Sequence, residues 1–296
     1  MSPRDLLVAL LIVVVWGANF VVIKAGVGQM PPLLLGALRF LLAAFPAVFF
    51  FPRPQLPWRL YLVYGLTISV GQFAFLFSAI HLGMPAGLAS LVLQSQSFFT
   101  LILAALWLKE AWQPSQLMGL ALAGIGLALI GGTQGSAMPA VGFALTLAAA
   151  ASWAAGNIVT RQVGRHKPNM MAFVVWASLV PPLPFLALSW MIEGPTAMTA
   201  ALAGFTLPAF GAVAYLAWVA TLLGYGLWSR LLARYPANQV APFTLLVPVV
   251  GLATASMVYG ERLVAQQWAG AALLMGGLAV NLFGARLWAR LRGAMA

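Results

Sequence analysis

The chain has 296 residues, of which 63% are hydrophobic and 6% are charged, with a formal net charge of +11 and no cysteine. Ordinary soluble domains have about 25% charged residues, so this composition requires lipid, and the missing cysteine excludes disulfides and thiolate metal sites. The cations are spread along the chain instead of clustering on one basic element, so a nucleic-acid partner is not predicted.

Ten apolar runs are long enough to cross a bilayer as helices, which takes about 20 residues each. They are predicted as α1–α10 at roughly 6–23, 33–51, 60–80, 86–108, 115–131, 141–160, 171–192, 209–231, 240–259 and 268–287. The first run resembles a signal peptide, but it has no clear cleavage site and has a counterpart in the second half. It is therefore kept as a membrane helix.

The cations orient these helices. If the N-terminus lies inside, the inside segments carry twelve of the fifteen Lys and Arg residues: Arg4, Arg53, Arg59, Lys109, Arg161, Arg165, Lys167, Arg230, Arg234, Arg286, Arg290 and Arg292. Lys24 and Arg262 fall outside, and Arg39 lies within α2. The positive-inside rule then predicts that both termini are cytoplasmic.

The first two helices carry polar groups at membrane depth, where such groups are costly. Trp16 and Asn19 lie one turn apart on α1, and substrate contact and locking of α1 against another helix are equally good interpretations. Arg39 begins about 10 Å inside the membrane, counting 1.5 Å per residue from Pro32. It could attract a carboxylate, or helix-end carbonyls could hold it.

The third helix combines glycine with polar and aromatic residues. Gly71 is a candidate hinge, and Gln72 lies one turn from Phe75, so both side chains are candidate substrate contacts. His81 closes α3 on the outer side and is a further candidate, with a surface or cap role as the alternative.

Four consecutive polar residues, 94–97, interrupt the fourth helix near its midpoint. Gln94 and Gln96 are predicted to line the substrate path; the alternative is hydrogen bonding between helices, worth about 0.6 kcal/mol per contact. In α9, Pro242 and Pro248 free backbone carbonyls and are predicted to bend the helix.

The eighth helix matches the third in its mixture of glycine and aromatic residues. Gly224 and Gly226 are candidate hinges, while Trp218, Thr221 and Tyr225 follow i, i+3, i+7 spacing and are predicted to share one helix face. Trp218 and Tyr225 are therefore candidate walls of an aromatic pocket, although packing or lipid contact is common for single aromatic residues.

The two halves repeat each other. At an offset of about 151 residues, 84–86 recurs at 235–237 and Glu110 recurs at Glu261. Trp16 and Asn19 recur as Trp153 and Asn157 in α6, which are therefore candidate substrate contacts with the same helix-locking alternative. Five spans per half is an odd number, so the sequence predicts an all-α integral membrane protein of two inverted five-helix repeats, 1–137 and 138–296. Such a duplication is typical of secondary transporters, with the substrate site between the repeats.

The chain lacks the residues that several other functions need. All four acids fall at helix ends or loops, which disfavours antiport through a buried glutamate. No H-E-x-x-H or G-x-S-x-G motif occurs and the two histidines are far apart, so an intramembrane enzyme is disfavoured. No metal and no cofactor are predicted.

The sequence also resembles a known family. Residues 16–20 with Lys24, Arg39-Phe40, 79–110 and the second copy ending in Pro248 and Glu261 resemble the EamA branch of the drug/metabolite transporter superfamily. Within it, 84–94, 234–236, 240–243 and 246–251 resemble bacterial amino-acid and amino-acid-metabolite exporters, including those for aromatic amino acids and for cysteine or O-acetylserine. Family members often have proline in the middle of α4, where this chain has Ser97.

The resemblance implies an exporter in the bacterial inner membrane that carries amino acids or their metabolites by alternating access. Neutral and aromatic amino acids are favoured, because an aromatic pocket and one intramembrane cation suit zwitterions with apolar side chains. Other small metabolites, such as nucleotide-sugars or drugs, are the alternative substrates. The expected partners are the substrate and membrane lipid, and a monomer can contain the whole pathway.

Overall fold

A computed structural model describes residues 1–133, 135 and 138–294, with side chains described up to 284 except at 237 and 238. Within these residues it contains ten helices long and apolar enough to span a membrane. Their bounds are α1 Pro3–Val27, α2 Pro32–Phe49, α3 Trp58–His81, α4 Ala86–Leu108, α5 Pro114–Gly131, α6 Ala140–Gly164, α7 Met170–Glu193, α8 Leu207–Arg234, α9 Ala241–Tyr259 and α10 Ala265–Gly284. The predicted all-α class and the ten spans are confirmed, while the inverted relation of the halves stays a prediction.

Side-chain caps define where several helices begin. The Ser2 hydroxyl accepts the Asp5 N–H at the start of α1, Asn169 accepts the Ala172 N–H at the start of α7, and Thr206 caps α8. Such caps satisfy backbone donors that have no partner within the helix. An unpredicted short helix, Pro195–Ala203, connects α7 to α8 and contributes no buried residue. We call the face that carries the N-terminus the inner face and the opposite one the outer face.

Several spans depart from regular α-helix at equivalent places in the two halves. α3 contains a π-helical segment at Gly65–Gly71, and α8 contains one at Tyr215–Leu223. α4 tightens into a 3₁₀ turn at Leu93–Ser95, and α9 begins as a 3₁₀ helix at Ala241–Leu245. Segments of both kinds often occur at functional sites and hinges.

The fifth and tenth helices pack backbone against backbone. A Cβ added to Gly126 would lie 2.6 Å from the Gly270 carbonyl oxygen, and one added to Gly119 would lie 2.7 Å from the Gly277 oxygen. Small residues permit this close approach of membrane helices. Gly119 and Gly270 are equivalent in the two repeats, as are Gly126 and Gly277, so each contact maps onto the other when the halves are exchanged. This is the pattern that a two-fold relation between the repeats would produce.

Candidate functional site

A cavity of about 140 Å³ lies among helices from both halves of the chain. Its wall includes eight of the twelve side chains that the sequence nominated for substrate binding: Trp16, Asn19, Arg39, Gln72, Gln94, Gln96, Trp153 and Tyr225. These residues come from α1, α2, α3, α4, α6 and α8. The fold therefore brings distant polar and aromatic residues together at one place.

Arg39 is the cation of this cavity. Its side chain is 2% exposed, and one terminal nitrogen donates to the Thr221 hydroxyl at 3.0 Å. The guanidinium carbon lies 3.8 Å from the centre of the Phe73 ring, so an aromatic face supports the charge. Nε and the other terminal nitrogen are buried without a hydrogen-bond partner among the described residues. Arg39 is thus a buried cation with two unpaired donors beside a cavity, which is costly unless a ligand or water accepts from those donors.

Two amide side chains share that condition. Asn19 is 8% exposed and Gln72 is 3% exposed, and the side-chain oxygen of each is buried without a partner among the described residues. Buried polar atoms are normally hydrogen-bonded, so unpaired ones in a native structure require an explanation. Both atoms belong to residues on the cavity wall, where a bound molecule can reach them.

An aromatic cluster forms the wall beside α8. The Trp16 ring centre lies 5.5 Å from that of Tyr225 and 5.3 Å from that of Trp228. The Trp16 indole N–H donates to the Ala220 carbonyl at 3.0 Å, which fixes the ring against α8. This carbonyl lies in the π-helical segment, where the wider turn leaves carbonyls free to accept from side chains.

The glutamines of α4 on the cavity wall form hydrogen bonds to α9 and α6. Gln94 donates to the Thr244 carbonyl of α9 at 3.5 Å. Gln96 accepts from Asn157 at 2.7 Å, and the same Asn157 amide donates to Thr100 at 3.1 Å. The asparagines that the sequence pairs in α1 and α6 thus have different positions. Asn19 lines the cavity, whereas Asn157 donates a hydrogen bond to Gln96 and does not line it.

Three other predicted binding residues also lie away from the cavity. Phe75 is 39% exposed and Trp218 is 41% exposed, both on the periphery of the helix bundle. The Trp218 indole N–H donates to the Leu42 carbonyl there. His81 sits at the outer end of α3, with a ring nitrogen 3.3 Å from the Val27 carbonyl. The structure therefore does not bring these side chains, or Asn157, to the cavity wall.

The predicted shared face of α8 was wrong because the helix is π-helical there. The segment Tyr215–Leu223 is π-helical, and within it the Thr221 side-chain hydroxyl donates to the carbonyl of Leu216, five residues earlier. Thr221 is 2% exposed. The wider turn rotates Trp218 out of line with Thr221 and Tyr225. The i, i+3, i+7 rule assumes 3.6 residues per turn and does not hold across such a segment.

The candidate hinge glycines of α3 and α8 are points of close helix contact. A Cβ at Gly71 would collide with the Ser152 hydroxyl of α6, and one at Gly224 would lie 2.5 Å from the Trp16 indole nitrogen of α1. Gly226 has more room, with the Met171 sulfur at 3.4 Å.

The two prolines of α9 occupy different settings. Pro242 lies in the first turn of the 3₁₀ segment, where backbone N–H groups have no partner within the helix, so the N–H that proline lacks is not missed. Pro248 is buried in the α-helical part, Leu246–Tyr259. Both agree with a locally irregular α9.

The cavity has lining residues that the sequence did not nominate, namely Phe20, Phe73, Leu76, Ser90, Leu93, Ala220, Thr244 and Val247. Most are apolar, and nothing in their type separates them from other membrane residues. Thr244 lies between the two prolines of α9, so it could have been nominated as a polar residue beside a predicted irregularity of the helix. All four acids are among the described residues and none lines the cavity. No group of three or more His, Asp or Glu that could hold a metal occurs in the described part of the chain.

Comparison with known proteins gives consistent matches along the chain. Residues 4–132 and 140–283 match the model of the EamA-like transporter family. The chain is 54% identical over 291 residues to a protein of Salmonella typhimurium named "Probable amino-acid metabolite efflux pump", covering 97% of both chains. It is 51% identical over 290 residues to an Escherichia coli protein of the same name, again covering 97% of both. A protein crystal structure at 20% identity superimposes with a TM-score of 0.64 over 97% of this chain and 99% of that one, which extends the likeness to the fold.

Proposed function

Because the chain belongs to the EamA-like transporter family, we propose that it exports amino acids or amino-acid metabolites across the bacterial inner membrane. The observation that carries the proposal is the cavity, whose wall, built by both halves, joins a buried cation, neutral amides and aromatic rings. Small-molecule sites typically combine an apolar wall with a few placed polar groups. The two relatives named as amino-acid metabolite efflux pumps support this substrate class.

Transport requires no covalent chemistry on the substrate. We assign the two repeats to 1–137 and 138–296; Ala137, at the boundary, is outside the described residues. We also propose that both termini lie in the cytoplasm. If the repeats are inverted, they can exchange conformations so that the cavity opens alternately to each face. The equivalent irregular segments of α3 and α8, and of α4 and α9, are suited to such an exchange.

The cavity volume bears on the size of the substrate. At about 140 Å³ it is smaller than the 300–1,000 Å³ typical of sites for drug-sized ligands. We therefore expect small neutral amino acids to fit better than the aromatic ones that the sequence favoured. Nucleotide-sugars fit less well, because their phosphates need several cations and Arg39 is the sole cation on the described wall.

The test is flux through purified protein in liposomes, with radiolabelled L-serine, L-leucine, L-phenylalanine and a nucleotide-sugar. We expect amino-acid flux above that of protein-free liposomes, with L-serine exceeding L-phenylalanine. Gln94→Ala should reduce the flux, whereas Arg59→Gln, at an exposed position at the start of α3, should not. Flux of the nucleotide-sugar alone, or of none of the four compounds, would contradict the proposal.

A further inference from the structure

The unpaired atoms of the cavity are complementary to one chemical group. Arg39 offers two donor nitrogens without partners, and Asn19 and Gln72 each offer an acceptor oxygen without a partner, all among the described residues. All three side chains are more than nine-tenths buried and line the same cavity. Donors on a cation suit a carboxylate, and neutral oxygens suit an ammonium group, so together they match a zwitterion.

Resting on the proposed function, we infer that the cavity recognises the α-amino and α-carboxylate groups shared by all amino acids. Arg39 binds the carboxylate, and the amide oxygens of Asn19 and Gln72 accept from the ammonium. Because no acid lines the cavity, the ammonium is held by neutral oxygens and adds less than the carboxylate. A decarboxylated amine should therefore bind far more weakly than the deaminated acid.

The experiment measures binding to detergent-purified protein by titration calorimetry, which makes membrane permeation of the ligands irrelevant. The ligands are the amino acid with the highest flux in the panel above, its own amine and its own deaminated acid. We expect the amine to bind at least about 100-fold more weakly than the amino acid, and the acid about tenfold more weakly.

Variants separate the two groups. Arg39→Gln should remove the preference for the amino acid over the amine, and Arg39→Lys should restore part of it. Asn19→Leu with Gln72→Leu should make the acid bind as well as the amino acid. If the wild-type protein binds the amine and the amino acid equally, this inference is overturned, but the proposed export function is not contradicted. If no amino acid shows flux, the proposed function itself fails.

A second and independent inference comes from two ion pairs at opposite faces. Lys24 of α1 contacts Glu261 after α9 at 2.7 Å, and Arg161 of α6 contacts Glu110 after α4 at 2.8 Å. The offset of 137 residues that relates Trp16 to Trp153 also relates Lys24 to Arg161. The 151-residue offset relates Glu110 to Glu261. The two pairs are therefore repeat equivalents, one at the outer face and one at the inner face.

The two equivalents differ in what else they bind. The Glu261 carboxylate also accepts the backbone N–H groups of Ala86 and Gly87 at 2.9 Å each, so it caps the start of α4 and joins it to α1 and α9. Within the described part of the chain, the Glu110 carboxylate accepts from Arg161 alone. By the 151-residue offset, the equivalent of the capped backbone is 237–238, in the short helix Ala237–Val240 that precedes α9.

Burial follows the same difference. The side chains of Lys24 and Glu261 are 33% and 16% exposed, whereas those of Arg161 and Glu110 are 49% and 47% exposed. A carboxylate at a helix N-terminus is stabilised by backbone donors and by the helix dipole. Among the contacts of the described residues, the outer ion pair is therefore the more buried of the two and also joins three helices.

We further infer that these carboxylates are alternating latches. The structure shows the state in which the outer latch is closed. In the opposite state Glu110 caps the short helix Ala237–Val240 that precedes α9, and Glu261 releases α4. Each latch stabilises one state only, so removing one shifts the equilibrium toward the state that the other one holds.

The chain has no cysteine, so a single introduced cysteine can report access to the cavity. In Leu93→Cys, a cavity position, the rate of labelling by a membrane-impermeant maleimide is measured from each side of oriented vesicles. Glu261→Gln should raise labelling from the outer side about tenfold relative to the inner side, and Glu110→Gln should change that ratio in the opposite direction.

Glu193→Gln is the matched control. Glu193 also caps an outer helix start, since it accepts from the backbone of Leu33 and Leu34 in α2, but it lies on α7 and joins neither α4 nor α9. It should lower stability without changing the ratio. A ratio that moves in the same direction for Glu261→Gln and Glu110→Gln, or that moves equally for Glu193→Gln, would overturn the latch assignment.

Discussion

At the scale of single residues, Lys109 and Gly260 occupy equivalent positions directly before the two latch glutamates. Both end their helices in the left-handed region, with φ of 56° and 66°. Glycine adopts this conformation freely, whereas a side chain costs about 1 kcal/mol or more there. Lys109→Gly should therefore raise the free energy of unfolding in mixed micelles by about 1 kcal/mol, and Gly260→Ala should lower it by a similar amount.

The control is Lys109→Ala, which removes the charge but keeps the strain. It should leave stability near that of the wild type. An equal gain from Lys109→Ala and Lys109→Gly would mean that the charge, and not the backbone conformation, sets the stability at this position.

Tyr225 and Trp218 test whether the cavity wall is correctly placed. Tyr225 lines the cavity beside Trp16, whereas Trp218 is 41% exposed on the outside of the bundle. Tyr225→Ala should lower amino-acid flux about tenfold, since an aromatic wall contact is worth roughly 1.5 kcal/mol. Trp218→Ala should stay within about twofold of the wild type in initial-rate measurements at equal reconstituted amounts. Equal losses would place the substrate path on the other face of α8.

Most of the polar residues that the sequence nominated at membrane depth lie on the cavity wall. Arg39, Gln72 and Gln94 could be nominated because each is costly in lipid and therefore has a specific environment. Phe75 and Trp218 could not be placed, because aromatic residues are equally at home against lipid, against other helices or in a cavity. For Trp218, the π-helical segment also changed which residues share a face.

At the scale of elements, the hinge and packing interpretations of Gly71 predict different results. Gly71→Ala should lower stability and flux, because the new Cβ collides with the Ser152 hydroxyl. Ser152→Ala removes that hydroxyl and with it a hydrogen bond to the Thr67 carbonyl, at a cost of about 1 kcal/mol. We expect Gly71→Ala with Ser152→Ala to recover both properties, measured by thermal unfolding and by liposome flux.

A double variant that recovers stability but stays slow would instead support the hinge, because flexibility and not space would then be missing. Gly211→Ala is the matched control. This glycine lies in α8 with no atom within 4 Å of an added Cβ, so the substitution should change neither property.

The spans were predictable because the bilayer sets their length, and an apolar run of sufficient length has few alternatives. The short helix Pro195–Ala203 was not predicted, since it buries no residue and is too short to span. The π and 3₁₀ segments also lay beyond the sequence argument. Their backbone conformation depends on contacts with neighbouring helices, such as the hydrogen bond from the Trp16 indole N–H to the Ala220 carbonyl. The pattern of hydrophobic residues does not predict such contacts.

At the scale of the whole molecule, two of the contacts between the halves differ in kind. The α5–α10 glycine contact brings backbones together directly and maps onto itself when the repeats are exchanged. The contacts of Glu261 and Glu110 are equivalent in sequence, but those made by described residues differ in number and burial. A symmetric packed contact and an unequal polar one would suit the proposed alternating access, because one part of the interface can stay fixed while the other has two arrangements.

The placement of the acids leads to the last prediction, on energy coupling. Each acid lies at a helix end with a partner: Asp5 with Arg234, Glu110 with Arg161, Glu193 with the α2 backbone, and Glu261 with Lys24. Proton-coupled transporters use titratable groups along the substrate path, and the described cavity wall has neither an acid nor a histidine. Efflux from preloaded liposomes at matched internal and external pH should therefore run down the amino-acid gradient, and an imposed proton gradient should change its initial rate by less than about twofold. Transport that appears only with the proton gradient would contradict this prediction, and loss of that dependence in His81→Gln would then assign the coupling to the outer end of α3.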